Sequence, residues 1–204
     1  LKDRLVGVGV ALKLNLVEIA RSLESFKSLP GRMHMFLGIN NSRIIDDTYN
    51  ASPASMRAAI TTLAHIQAPR KGVILGDMLE LGEKSDEEHA SFATDIKRAN
   101  VSFALLVGQH MHALHQALRE SGFSEKQVMW FSDPMSASDY AVEVVRAGDV
   151  VLVKGSQGVR MELVVERLLA QPELASTLLC RQSEVWKKIP FTVPEEWQDK
   201  SNSA

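Results

Sequence analysis

The chain has 204 residues, an apolar fraction of 45% and a formal net charge of −2, enough for one α/β domain with added segments, or two small domains, around a sizeable core. That charge balance gives no basic field for nucleic acid, and no apolar run reaches the roughly 18 residues of a membrane span. The single cysteine, Cys180, excludes an internal disulfide and fits a reducing compartment.

The chain starts Leu1-Lys2-Asp3-Arg4, neither an initiator methionine nor a signal peptide, and reads as an interior cut of a longer protein. Leu5 to Phe26 reads as helical. Leu12, Leu14, Leu16, Ile19, Leu23 and Phe26 give a mixed apolar pattern with a break near Leu14-Asn15, and Pro30-Gly31 stops any helix. Gly7-Val8-Gly9 makes no dinucleotide fingerprint, because no third glycine follows in a strand–turn–helix setting.

From residue 42 a strand–helix rhythm begins. Ser42 to Asp46 predicts a strand, and Ser52-Pro53 a capped helix start carrying Met56, Ala59, Ile60, Leu63, Ile66 and Gln67. Gly72 to Gly76 is a second strand. Ser85-Asp86-Glu87-Glu88 has the form of a capping box opening a helix to about Ala99. Phe103 to Val107 is a third strand, and Met111, Leu114 and Leu118 mark a helix closed by Gly122. Val128 to Phe131 is a fourth strand, followed by a helix from Asp133-Pro134 with Ala137, Ala141, Val144 and Val145. Val150 to Val153 is a fifth, followed by Lys154-Gly155-Ser156 and a helix with Met161, Val164, Val165 and Leu168. After Gln171 the rhythm stops. Trp186, Pro190, Pro194 and Trp197 sit among charges, with aromatics suited to packing on this domain or another, and Lys200 to Ala204 reads as disordered.

Short apolar strands alternating with helices predict an α/β, doubly wound, mostly parallel Rossmann-like sheet with helices on both faces. Such sheets bind ligands at the carboxyl ends of their strands. The polar loops Asp46 to Ser52, Gly76 to Lys84 and Lys154 to Gly158 therefore matter most. In the first, a carboxylate can accept from ribose hydroxyls, Tyr49 or Asn50 can meet a base, and the helix terminus favours anions; a capped turn with solvated acids explains the same residues equally well. His110, His112 and His115 lack a neighbouring cysteine or carboxylate and read as a solvated helix face rather than a metal site. His89 suits a structural hydrogen bond, and nothing near Cys180 would activate it.

Asp46-Asp47-Thr48-Tyr49-Asn50-Ala51-Ser52-Pro53 with Ser55-Met56 resembles the Asp-Ser/Thr-Tyr-Asn-Ala-Asn-Pro-x-Ser-Met signature of the Mur-type amide-bond ligases, in their D-alanyl-D-alanine-adding branch. Gly76-Asp77-Met78-Leu79-Glu80-Leu81-Gly82 is similar to that branch's Gly-Asp-Met-x-Glu-Leu-Gly segment. His89, Val107-Gly108, Val153-Lys154-Gly155-Ser156 and Gly31-Arg32 resemble further segments in order, and the match runs from about Leu5 to Leu169. The resemblance implies that residues 1–37 end a central ATPase domain, that 38–170 form the ligase carboxy-terminal domain, and that 171–204 are a partly irregular extension. It implies ATP binding by Arg32, Asp47, Tyr49 and Asn50, and dipeptide binding by Asp77, Glu80, Lys154 and Ser156. No residue here is implied as catalytic and none as a metal ligand. The implied cofactors are ATP and Mg²⁺, held mainly by a central domain whose Gly-x-x-x-x-Gly-Lys-Ser/Thr loop this chain lacks. The implied partners are D-Ala-D-Ala, UDP-muramoyl-tripeptide and the protein's own central domain, in the cytoplasm. The implied reaction is phosphoryl transfer to the tripeptide carboxylate, then attack by the dipeptide amine on the acyl phosphate.

Two positions depart from the pattern. Ser52 replaces the second Asn, so any contact made by that Asn is lost. Gln157 stands where many members have Arg, which leaves Lys154 as the charge partner for a carboxylate. Other readings are another Mur-type ligase (an amino acid adder, a folylpolyglutamate or a cyanophycin synthetase) or a non-catalytic nucleotide- or partner-binding α/β module. The Tyr-Asn-Ala-Ser-Pro and Gly-Asp-Met-Leu-Glu-Leu-Gly segments favour the dipeptide adder. A dinucleotide oxidoreductase lacks its glycine fingerprint here.

Overall fold

The computed structural model describes residues 2–24, 29–189 and 191. Two helices come first, α1 (Lys2–Ala11) and α2 (Leu16–Glu24), with the expected break between them. Asn15 makes that break by accepting the Val17 N–H at 2.8 Å through its side chain. Phe26, Pro190, Pro194 and Trp197 lie outside the described residues.

The strands are β1 (His34–Leu37), β2 (Arg43–Asp47), β3 (Lys71–Gly76), β4 (Phe103–Val107), β5 (Val128–Phe131) and β6 (Val150–Lys154). They form one sheet in the order β1-β2-β6-β3-β4-β5. Only the β1–β2 pairing is antiparallel; β2–β6, β6–β3, β3–β4 and β4–β5 are parallel. The sequence reading did not predict β1 and gave its residues to the preceding stretch. His34-Met35-Phe36-Leu37 has no clean alternation of apolar and polar residues, and what makes it a strand is ladder bonding to β2.

The helices that connect the strands lie on both faces. On one face α3 (Pro53–His65), α4 (Ser85–Arg98) and α5 (Met111–Glu120) pack Met56, Ile60, Leu63, Phe92, Ile96, Leu114 and Leu118 against Ile45, Val73, Leu75, Leu106 and Leu152. On the other, α6 (Pro134–Val144) and α7 (Glu162–Leu168) pack Ala137, Ala141, Val164 and Leu168 against Ile44, Ile74, Leu105, Val151 and Val153. Strand side chains alternate between the two cores, so the middles of the interior strands β2, β3, β4 and β6 read as apolar, with charged residues only at their ends. Each such fully buried aliphatic contributes roughly 1.5–3 kcal/mol.

Local signals worked where a cap formed as predicted. Ser52 caps α3 through a reciprocal pair with Ser55, with Pro53 in the first turn, and Asp133 caps α6 by accepting from the Met135 and Ser136 N–H groups. The capping box expected at Ser85 does not form. A 3-10 turn over Gly82–Lys84 runs straight into α4, so Ser85 is already helical at φ −54°, ψ −53° and its side chain turns inward. Gln67 also falls outside its expected helix, because α3 stops at His65 with Ile66 extended.

The tail contributes short helices, α8 (Ala175–Leu178) and α9 (Glu184–Lys187). Ala175 and Leu179 complete the second core. No described helix is long and apolar enough to cross a membrane.

Candidate functional site

The parallel strands β2, β6 and β3 end side by side at Asp47, Lys154 and Gly76, and their loops meet there. The adjacent acids at the end of β2 point opposite ways and do different work. Asp46 is fully buried. Its Oδ1 accepts the Thr48 hydroxyl at 2.6 Å and the Thr48 N–H at 3.1 Å, and its Oδ2 accepts the Gly31 N–H at 3.2 Å. Burial raises its pKa, offset by the Thr48 and Gly31 hydrogen bonds. Asp46 thus folds the loop and pins the Gly31 turn to it. That turn needs glycine: φ is +73°, and a Cβ would stand 2.8 Å from the Tyr49 nitrogen.

Asp47 faces the site. Its Oδ1 accepts the Met33 N–H at 3.1 Å and its Oδ2 lies 2.6 Å from Lys154 Nζ. Burial pushes its pKa up, while Lys154 and, more weakly, Arg32 pull it down. Lys154 is 1% exposed and also donates to the Asn50 carbonyl at 2.9 Å. Its charge is therefore directed at Asp47 and Asn50 from inside the protein. The Tyr49 ring is exposed, with the Arg32 guanidinium 4.2 Å above its centroid.

The second and third loops are tied to the first by Ser156. Its hydroxyl accepts the Leu79 N–H at 2.9 Å and donates to the Ala51 carbonyl at 3.4 Å, and its N–H donates to the Asp77 carbonyl at 2.9 Å. The Asp77 carboxylate is buried and accepts the Met111 N–H at 2.8 Å at the start of α5. Desolvation pushes it up to about 6, against the pull of the Met111 and neighbouring N–H groups and of His110. Gly108 permits this approach: a Cβ there would lie 2.5 Å from the Asp77 carboxyl. His89 sits beneath. Its Nε2 accepts the Met78 N–H at 2.9 Å, while its Nδ1 faces the Ser85 carbonyl at 2.6 Å and must carry the proton. Burial lowers its pKa to about 4, so this is the structural hydrogen bond expected of it. Glu80 is exposed at φ +66°, a backbone region that few non-glycine residues adopt.

The structure therefore places Asp47, Tyr49, Asn50, Asp77, Glu80, Lys154 and Ser156 on three linked loops, with Arg32 brought over Tyr49 from the Gly31 turn. A cleft of about 470 Å³ opens beside these loops, lined in part by Asn50, Ala51, Leu79, Glu80 and Ser156, while Arg32, Asp47, Tyr49, Asp77 and Lys154 stand outside its lining. His110 and His112 lie to one side: His110 Nδ1 meets Asp86 at 2.7 Å, and His112 packs edge-on against Trp130. Among the described residues no three His, Cys, Asp or Glu side chains gather to hold a metal ion. Cys180 lies 3.6 Å from the Thr48 hydroxyl, and burial raises its thiol pKa.

Sequence reasoning missed a buried charge cluster beside the cleft. Glu162 pairs with Arg160 through Oε1 and stands 3.2 Å from Arg181 Nε through Oε2, an ion-pair distance without hydrogen-bond geometry. Arg181 donates to the Tyr49 carbonyl at 3.2 Å and to that of Thr48. The only sequence signal was the aromatic and charged tail; nothing marked Arg160 or Glu162.

A family model, the Mur ligase glutamate ligase domain, matches residues 31–157. The UDP-N-acetylmuramoyl-tripeptide–D-alanyl-D-alanine ligase of Escherichia coli strain K12 is 32% identical over 163 residues, covering 79% of this chain and 34% of that protein. The same-named ligase of Rickettsia prowazekii is 33% identical over 130 residues, covering 64% and 28%. Among solved structures, a MurF from Acinetobacter baumannii superposes with a TM-score of 0.66 at 28% identity, over 78% of this chain and 34% of that one. The Thermotoga maritima MurF ligase in complex with ADP gives 0.63 at 27%, over 79% and 35%. The chain thus spans about a third of the length of the relatives it matches.

Proposed function

This chain belongs to the Mur ligase family, and we propose that it is the carboxy-terminal part of an ATP-dependent ligase that joins D-alanyl-D-alanine to a UDP-N-acetylmuramoyl-tripeptide. In this reading residues 1–37 close a central ATPase domain, 38–170 are the ligase carboxy-terminal domain and 171–204 an extension, and the protein works in the cytoplasm on peptidoglycan precursors. The relatives named for that reaction support it, as does the sequence of the first two loops.

The observation that carries the reading is the direct bonding of the candidate nucleotide loop to the candidate dipeptide loops. Lys154 joins Asp47 and Asn50, and Ser156 joins Ala51 and Leu79. Held this way, the carboxylate of Asp47 keeps lone pairs for ribose hydroxyls, Tyr49 and Asn50 offer a face and an edge to adenine or phosphate, and Arg32 brings charge to phosphate as the domains close. Asp77 and Glu80 would shape the acceptor side and Ser156, which lines the cleft, would help hold the dipeptide, while Lys154, buried against Asp47 and Asn50, would act on it through the loop it holds. Mg²⁺ and the β- and γ-phosphates would be held mainly by the central domain. There the tripeptide carboxylate takes the γ-phosphoryl group, and the dipeptide amine then displaces phosphate from the acyl phosphate through a tetrahedral intermediate. The carboxy-terminal domain would supply part of the nucleotide site and position the attacking amine, a contribution of proximity.

The test is phosphate release by the full-length protein with ATP, Mg²⁺ and UDP-muramoyl-tripeptide, with and without D-Ala-D-Ala. Release that depends on the dipeptide and fails with single amino acids is the expected outcome. Release with another amine only would keep the family and overturn the acceptor. In the same assay Asp47→Ala abolishes ligation, with circular dichroism checking that the fold survives the loss of the Lys154 partner; wild-type rates in that variant would remove Asp47 from the ribose site.

A further inference from the structure

The cleft has a wall that the three loops do not supply. Besides Asn50, Ala51, Leu79 and Glu80 it is lined by Trp186 and Ile189, both from the tail beyond α7. This tail segment is fastened by charge. Arg160 donates to the Trp186 carbonyl at 2.8 Å and to that of Ile189, while Arg181 donates to the Thr48 and Tyr49 carbonyls. Glu162, fully buried, lies between the two guanidinium groups. The Trp186 ring sits over both, 5.7 Å from Arg160 Cζ and 5.9 Å from Arg181 Cζ.

A desolvated Arg–Glu–Arg cluster is a poor way to gain stability alone, since apolar replacements often do as well. What it provides is direction, because guanidinium groups bond in a fixed planar fork. Here the forks hold backbone carbonyls on both sides of the join, two in the tail and two in the loop that carries Tyr49. The indole, backed by two cations, presents its remaining surface to the cleft as a stiff apolar panel.

We propose that Trp186 and Ile189 form a working wall of the cleft: Arg160 and Arg181 position it, and the two side chains limit the size of the side chains that an amine acceptor can carry. The proposal rests on the reading of the cleft as the acceptor side. It assigns selectivity for small, methyl-bearing acceptors to the tail. Arg181 is a positioning residue, acting on the Thr48–Tyr49 backbone.

The experiment compares the full-length wild type with Trp186→Ala, Arg181→Met and, as a control from the same helix, Val185→Ala, whose side chain is 71% exposed. Phosphate release is measured with D-Ala-D-Ala and with dipeptides ending in D-Val or D-Leu. Trp186→Ala raises the kcat/KM ratio of the bulky to the small acceptor by at least about tenfold, the scale of one or more methylenes in a pocket, and leaves the KM for ATP within about twofold. Arg181→Met raises the KM for ATP as well, and Val185→Ala changes neither. A second arm needs no turnover: the wild type shows a change in tryptophan emission on saturation with acceptor, and Trp186→Phe loses it. Turnover of D-Ala-D-Ala with an unchanged ratio and no emission shift would overturn the wall and leave the ligase reading standing. An emission shift without dipeptide-dependent turnover would overturn the ligase reading and leave the wall.

Discussion

Asp77 and His89 should titrate against each other, and separating them tests the electrostatics of the site. The two side chains approach to 4.0 Å and both are buried. Desolvation moves Asp77 from 3.8 up to about 6 and His89 from 6.5 down to about 4. Between 3.8 and about 6 the folded protein keeps a proton on Asp77 that the unfolded chain has released, so this group adds stability as pH falls. Between 6.5 and about 4 the unfolded chain takes a proton on His89 that the fold refuses, so this group removes stability over nearly the same window. At 1.36 kcal/mol per pH unit each effect amounts to about 3 kcal/mol, with opposite signs. The pair therefore nearly cancels in the wild type. Asp77→Asn keeps an acceptor for the Met111 N–H and ends the titration. On going from about pH 7 to about pH 4 it should lose about 3 kcal/mol more than the wild type. His89→Gln should lose about 3 kcal/mol less, and the double variant should follow the wild type. Urea denaturation at the two pH values measures this, and taking differences from the wild type removes every other carboxylate. Differences below about 1 kcal/mol in both single variants would refute the reasoning.

Other outcomes follow from single contacts. Lys154→Met leaves the Asp47 carboxylate without its partner and should cost about 3–5 kcal/mol; in a double-mutant cycle with Asp47→Asn, a coupling of at least about 2 kcal/mol is expected. Gly108→Ala meets the Asp77 carboxyl at 2.5 Å with φ +109°, and should cost more in urea denaturation than Gly122→Ala. Gly122 has a similar φ of +101° but nothing within 4 Å of its Cβ, so its cost is backbone strain alone, about 1–3 kcal/mol. Ser85→Ala should be neutral or stabilising by up to about 1 kcal/mol, because among the described residues the buried hydroxyl has no hydrogen-bond partner. A loss of about 1 kcal/mol would instead restore Ser85 as a helix cap.

The parallel strands were legible because the middles of β2, β3, β4 and β6 are buried and read as short apolar runs between turn signals, and β5 keeps an apolar run although only Val128 in it is buried. Caps were legible where an extended residue precedes the helix, as at Ser52 and Asp133. Ser85 failed because the preceding turn is itself helical, and a residue string of the right form does not report the backbone angle of its first member. The edge strand β1 failed for a related reason: its pairing with β2 is a tertiary fact with no local pattern. In the site, types and loops were legible, since acids, amides and a lysine at strand ends are where this fold binds ligands. The division of labour was not. Asp46 and Asp47 are neighbours of one type, and only their opposite side-chain directions on a strand make one a brace and the other a site residue. Arg160, Glu162 and Arg181 were invisible because their meaning lies in a contact between α7 and a tail that breaks the periodic pattern.

The placement of these buried polar groups bears on how the loops at the strand ends are held. Three loops of unrelated sequence converge here, and loops left to themselves are mobile. Two of them are fixed by desolvated polar side chains of the third: Lys154 at the end of β6 holds the β2 loop and Ser156 holds the β3 loop, while Asp77 from the β3 loop in turn holds the start of α5. Every one of these bonds spans two segments, so none can be lost locally without leaving a buried donor or acceptor unpaired. Such an arrangement costs stability relative to an apolar packing of the same volume. In return it fixes backbone carbonyls and N–H groups in one geometry. In the proposed function, domain closure would then meet loops already held in place on this side.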